Sequence, residues 1–229
     1  MSPQSPNRFF RDNGLTLTFW LLLVLALVGQ AFSGNAEFNH QQIVDGAQQL
    51  SLWQYVTSTS FAVDVAENWQ SEYLQFALYI VATVWLVQRG SSESKKVDQI
   101  GTQSDQDQDV GRHARPDSPA WARAGGLRTA LYGRSLGAIM TFFFLMSLAA
   151  QSVAGQAANN VNLLHQHEDP VSWLDYVTSA DFWNRTTQNW QSEFLAVASM
   201  AAFAIYLRQR GSPESKLVGA PHDATALDS

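Results

Sequence analysis

Residues 68–95 read NWQSEYLQFALYIVATVWLVQRGSSESK, and residues 189–216 read NWQSEFLAVASMAAFAIYLRQRGSPESK. The two stretches share their opening NWQSE and their closing QRGSxESK at a constant offset of 121 residues. Without a gap, the same offset aligns Tyr55-Val56-Thr57-Ser58 with Tyr176-Val177-Thr178-Ser179, Gln30 with Gln151 and Gly34 with Gly155. The chain therefore reads as a tandem duplication, and a feature present in both copies is a better candidate for a requirement of the plan than one seen once.

Around these stretches lie apolar runs. Residues 15–32 and 136–154 have the length that crosses a bilayer, roughly 17–25 residues. Residues 73–87 and 194–207 are shorter, but each extends back through NWQSE as helix-compatible sequence. The expectation is an all-α protein with four transmembrane helices. Basic residues orient them. Arg8 and Arg11 precede the first run, Arg89, Lys95 and Lys96 follow the second, Arg128 and Arg134 precede the third, and Arg208, Arg210 and Lys216 follow the fourth, whereas the intervening loops hold only Arg185. The positive-inside rule then puts both termini and the central linker in the cytoplasm and the two loops outside. Each repeat becomes an out-and-back, two-span hairpin, and the two repeats are parallel, with the same orientation.

The expected organisation is a first two-span repeat over 1–96, a linker over 97–127, a second repeat over 128–218 and a tail over 219–229. The linker and tail are rich in polar and small residues, cannot bury enough apolar surface to offset their chain entropy, and are expected to be disordered. A cleaved signal peptide is the competing reading of the N-terminus, but the match to an internal copy runs across the would-be cleavage point. The external loops are aromatic-rich: Trp53, Tyr55, Phe61, Trp173, Tyr176 and Phe182 suit the headgroup region. Ser60 and Asp181 read as caps of helices that start at Phe61 and Phe182 and run unbroken to Gln88 and Gln209.

Polar residues within the spans form the candidate site. Glu72 lies 17 positions before Arg89. At about 1.5 Å per residue this puts it near the outer membrane boundary, the depth also inferred for Gln30, Gln151 and Glu193. Asn68, Glu72, Gln75 and Tyr79 make one helical stripe, which is expected to face other helices because unsatisfied polar groups are costly in lipid. The second copy keeps Asn189 and Glu193 and then turns apolar at Ala196 and Met200. Gln30, Asn68, Glu72, Gln151, Asn189 and Glu193 are thus the candidate polar interhelical or ion site, with Glu72 expected near Gln30 and Glu193 near Gln151. In QRGSxESK, Arg89 and Arg210 suit snorkelling to the headgroups, and Gly90 and Gly211 suit a left-handed position ending a helix. The Ser-x-Glu-Ser-Lys part has no account from sequence.

With no cysteine and a net charge of −6, the chain excludes disulfides, thiolate chemistry and nucleic-acid binding. The run from His165 to Asp169 has no ligand counterpart at 44–48, and no nucleophile arrangement is supported by both repeats. No catalytic residue, cofactor or metal site is expected.

The run Arg8-Phe9-Phe10-Arg11-Asp12-Asn13-Gly14-Leu15, followed by Gly29-Gln30-Ala31, NWQSE and QRGSSESK, resembles a family of small bacterial membrane proteins catalogued only as a domain of unknown function. The resemblance covers nearly the whole chain except the linker and tail. It implies a bacterial inner-membrane location and carries no activity to transfer. The expectation is a non-enzymatic, multi-pass protein of the lipid bilayer that acts by association, as a homo-oligomer or with an unidentified membrane protein partner. The alternative is a small transporter or channel using Glu72 and Glu193.

Overall fold

A computed structural model of the chain describes residues 6–225. The first five residues of the first repeat, the last four of the expected tail and the Arg8 side chain lie outside the described residues. The described residues are all-helical, with no strand: α1 Pro6–Asp12, α2 Gly14–Val44, α3 Leu52–Val56, α4 Thr59–Ala82, α5 Ala120–Arg123, α6 Gly126–Tyr132, α7 Ser135–His165, α8 Trp173–Val177 and α9 Ala180–Tyr206. Two helices, α2 and α7, are long and apolar enough to cross a membrane, each with 31 residues. At about 1.5 Å per residue each exceeds the hydrocarbon thickness. The other two expected spans correspond to α4 and α9, of 24 and 27 residues. Their polar NWQSE segments lower their apolar character.

Helix starts follow local caps. Ser51 caps α3 in a reciprocal capping box with Gln54, and Ser172 accepts the Asp175 N–H at the start of α8. For the long helices the caps are Ser58 and Ser179, whose hydroxyls accept from the N–H groups of Phe61 and Phe182 at 3.3 and 3.2 Å. The helices therefore begin before the expected Ser60 and Asp181 caps. A serine oxygen satisfies an N–H that has no partner within the helix, which is enough to set the boundary.

Helix ends also differ from expectation. Gly90 and Gly211 do adopt left-handed φ values of 86° and 83°. They do not end the helices, because α4 stops at Ala82 and α9 at Tyr206. The Gly101 N–H reaches the Val84 carbonyl beyond the end of α4, and the Arg208 guanidinium donates to the carbonyls of Ala204, Ile205 and Leu207 at the end of α9. The Arg208 bonds meet last-turn carbonyls that a helix C-terminus leaves unpaired.

By contact density the chain divides into two compact units that cut across the repeats: the described part of Met1–Asp64 with Ala154–Val171, and the described part of Val65–Ser229 without that segment. In the first unit, two asparagines brace irregular backbone. Asn39 donates to the Leu50 carbonyl at 2.8 Å and accepts the Leu50 N–H at 2.7 Å. Asn160 does the same to Val171 at 3.0 and 2.9 Å. Asn35 and Gln156 add a second donor to the same carbonyls. An amide carries one acceptor and two donors, so it satisfies both backbone groups of a loop residue that no ladder serves. Tyr55 packs edge-on against Phe61 with ring centroids 5.5 Å apart, and its hydroxyl fills the space that a side chain at Gly34 would need.

The second unit contains the rest of α4 and α7, with α8, α9 and both QRGSxESK segments. Tyr73 of α4 stacks on Phe143 of α7 with centroids 5.0 Å apart, and Gly137 of α7 faces Ile80 and Val81 of α4. Tyr176 packs edge-on against Phe182 at 5.6 Å. Tyr55 and Tyr176, expected among the headgroup aromatics, are instead buried at 3% and 2% exposure, while Trp53 and Trp173 stay exposed. Burial raises the Tyr55 hydroxyl above the usual phenol range, with Asp64 acting in the same direction. Burial and then the Asp181 carboxylate push Tyr176 up to about 12.

QRGSxESK folds as the same self-bonded turn in both copies. The N–H groups of Gln88 and Gln209 donate to Ser94 and Ser215 Oγ at 2.7 and 2.8 Å, and those of Glu93 and Glu214 donate to Ser91 and Ser212 Oγ at 3.1 and 3.2 Å. These bonds account for the serines. The lysines then differ. Lys95 Nζ donates to the Gly101 carbonyl at 2.8 Å. Lys216, 3% exposed, donates to the carbonyls of Gly90, His222 and Ala224 at 2.5, 2.9 and 3.0 Å, and to Pro221 at 3.3 Å. Burial and then the Arg208 guanidinium hold the Lys216 ammonium below the usual lysine range. Residues 221–225, expected as disordered tail, thus wrap a lysine, and Thr225 Oγ1 accepts the Gly90 N–H. The 97–127 segment, expected as a disordered linker, carries two 3₁₀ turns, α5 and the first residues of α6.

Candidate functional site

The sequence places NWQSE on α4 and α9, and tertiary packing chooses which of its residues turn inward. On α4 the buried positions are Val63, Ala66, Gln70, Ser71 and Ala77, while Asn68 and Glu72 are exposed and Gln75 and Tyr79 half-buried. The inward face is therefore set by Ala66, Gln70 and Ala77 and not by the Asn68–Glu72 stripe. Small side chains let helices approach closely, and a glutamine among them can bond across the gap.

A belt of polar contacts joins α4, α7 and α9 in the second unit. Trp190 Nε1 of α9 donates to Gln70 Oε1 of α4 at 2.9 Å. Gln151 Nε2 of α7 donates to Thr186 Oγ1 of α9 at 3.1 Å, and that hydroxyl in turn donates a hydrogen bond to the Phe182 carbonyl at 2.7 Å. Arg185 of α9 pairs with Glu67 of α4 at 2.8 Å. Trp173 Nε1 donates to Ser152 Oγ at 3.1 Å. Gln70, Gln151 and Thr186 are fully buried, and Gln70 Nε2 and Gln151 Oε1 have no hydrogen-bond partner among the described residues.

The six expected site residues take different places. Gln151 enters the belt, but its bond goes to Thr186, two turns away from the expected Glu193. Asn189, half-buried, donates to the Arg185 carbonyl at 3.3 Å. Glu193 is half-buried and lies within reach of the Glu72 charge, and the Gln75 amide donates to the Glu193 carbonyl at 3.5 Å. Asn68 is exposed, and Gln30 is half-buried in the first unit. The residues missed by sequence reasoning are Gln70, Thr186 and Trp190. Gln70 was detectable, since both copies carry it and Ala66, Gln70 and Ala77 share one helical face. Thr186 was not, because its counterpart is Val65.

Gln75, Phe76 and Tyr79 of α4, the loop residue Glu93, and Ala196, Val197 and Met200 of α9 line a cleft of about 240 Å3. Tyr79 Oη donates to Glu93 Oε2 at 2.8 Å. Among the described residues, no group of three or more His, Asp and Glu side chains gathers to hold a metal ion. The belt can fasten helices together and the cleft can admit a small molecule.

No curated protein and no solved structure matches the chain. A family match runs over residues 6–227 and takes in both the NWQSE and both the QRGSxESK segments. The chain belongs to the family described as a domain of unknown function (DUF6766).

Proposed function

We propose that this is a non-enzymatic, multi-pass protein of a bacterial inner membrane that acts by association with further copies of itself. One observation carries the reading: α2 is a 31-residue apolar helix with no buried residue, exposing Leu21, Leu25, Val28 and Phe32. Such a surface requires lipid or another helix around it. The polar belt supports the same reading, since its side chains spend most of their bonds on holding helices together. In the finer form of the proposal, α4 and α9 complete four spans, the repeats lie parallel, and the basic residues keep both termini and the linker cytoplasmic. The hydrogen bonds repeated at Asn39 and Asn160 and in the two QRGSxESK turns support equivalent hairpins. Differently tagged full-length copies should co-purify from mixed expression in mild detergent. Recovery of only one tag would overturn self-association.

Transport is the second reading, favoured by the mutual reach of Glu72 and Glu193 beside the Gln75–Tyr79–Glu93 cleft. Flux of ions into liposomes that falls in Glu72→Gln/Glu193→Gln would establish it in place of association alone.

A further inference from the structure

The cleft between α4 and α9 holds a negative charge without a matching positive one. Glu93 is half-buried, and its carboxylate is hydrogen-bonded by a neutral hydroxyl, that of Tyr79, at 2.8 Å. Among the described residues, no lysine or arginine forms an ion pair with it. The loop lysines Lys95 and Lys216 are committed to backbone carbonyls. Glu214, the counterpart of Glu93 in the second copy, adds a further negative charge close enough to act on the Tyr79 hydroxyl. A carboxylate withdrawn from water is stabilised when a cation joins it.

The walls select the kind of cation. A hard divalent ion takes six or more oxygen ligands, or keeps several waters. This cleft presents oxygen from only Gln75, Tyr79 and Glu93, and the rest of its lining is apolar. Phe76 and Tyr79 contribute aromatic rings, which attract organic cations, and Met200 is an adaptable apolar wall. At about 240 Å3 the space falls below that of sites for drug-sized ligands, so a molecule of a few heavy atoms fits.

We propose that this cleft binds a small monovalent alkylammonium ion, with the charged nitrogen at Glu93 and the alkyl part against Phe76, Val197 and Met200. The site goes beyond association and stands on the cleft alone, whether or not the chain self-associates or conducts.

The test is isothermal titration of the full-length chain in nanodiscs with n-butylammonium chloride, with n-pentanol as a neutral counterpart of similar size and with sodium and magnesium chloride as inorganic cations. Saturable binding of butylammonium but not of pentanol is expected. Glu93→Gln should weaken it by at least about tenfold. Met200→Trp, which fills the cleft and leaves every charge in place, should abolish it. Met200 is exposed, so this variant is expected to keep its fold, as circular dichroism and gel filtration would verify. The proposal is overturned by absence of saturable binding to the wild type, by unchanged binding in both variants, by equal binding of pentanol, or by displacement of butylammonium at equal concentrations of sodium or magnesium.

Discussion

The two segments that join the long helices and the two QRGSxESK loops diverge to different degrees. In the joining segments the bonding is duplicated: Asn39 and Asn160 each brace one backbone residue, Ser58 and Ser179 each cap a long helix, and Tyr55 and Tyr176 each pack edge-on against a phenylalanine. The QRGSxESK loops share their serine turn and then part company. Lys95 meets one carbonyl, whereas Lys216 meets four. Ser92 Oγ donates to the Glu214 carbonyl at 2.9 Å, and no return bond exists because the counterpart of Ser92 is Pro213. Bonds whose partners lie close in sequence can be present twice at no structural cost. A contact between the copies meets different residues on each side, so it need not be mutual.

The largest break in this comparison is expected at the lysines. Lys216→Met keeps a similar volume but leaves one buried and three part-buried carbonyls without this donor, at about 1–3 kcal/mol for a buried group left unsatisfied and less for the others. A total of about 3 kcal/mol or more is expected, read as a drop in Tm of the detergent-solubilised chain. Lys95→Met should cost about 1 kcal/mol, since one carbonyl loses one bond. Equal shifts for the two variants would mean that the carbonyl cage around Lys216 adds nothing.

The segments braced by Asn39 and Asn160 should behave alike. Asn39→Ala and Asn160→Ala each remove a donor and an acceptor from one backbone residue, with an expected loss of about 2 kcal/mol apiece. Thermal unfolding followed by tryptophan fluorescence would measure both. If only one of the pair responds, the matching bonds are not matched in energy, and the equivalence of the loops fails.

The smallest effect concerns the tyrosines and is read only at alkaline pH. The Tyr176 hydroxyl has an ordinary value of 10.0 and is held up to about 12 in the folded chain. Its contribution to stability is present in full below pH 10.0 and is lost as pH rises from there through about 12. Phenolate absorbance should therefore include a late step that Tyr176→Phe removes. Tyr55 is raised in the same direction, and Tyr55→Phe should also remove late-titrating signal. A titration complete at the ordinary phenol range would contradict the burial of both rings.

Much of the fold is legible in the residues. Offsets and apolar runs locate α2 and α7, and serines before helix-forming stretches mark the caps, although Ser58 and Ser179 prevail over Ser60 and Asp181. Two neighbouring polar residues compete for the same free N–H groups, and composition does not decide between them. The Ser-x-Glu-Ser-Lys part was illegible for a similar reason, because a turn closed by serine hydroxyls leaves no periodic pattern.

The belt was harder to foresee. A helix with apolar residues on most faces does not announce which one meets protein, so the Asn68–Glu72 stripe was as good a candidate as the Gln70 face. Local sequence thus determined where helices start, which turns close on themselves and how the two copies correspond, since those interactions join residues within a few turns of one another. Which face of α4 is buried, that Gln151 meets Thr186 and that Lys216 reaches the Gly90 carbonyl were decided by tertiary packing. Each depends on side chains far apart in the chain, and close packing and polar satisfaction select the partners only after the helices have come together.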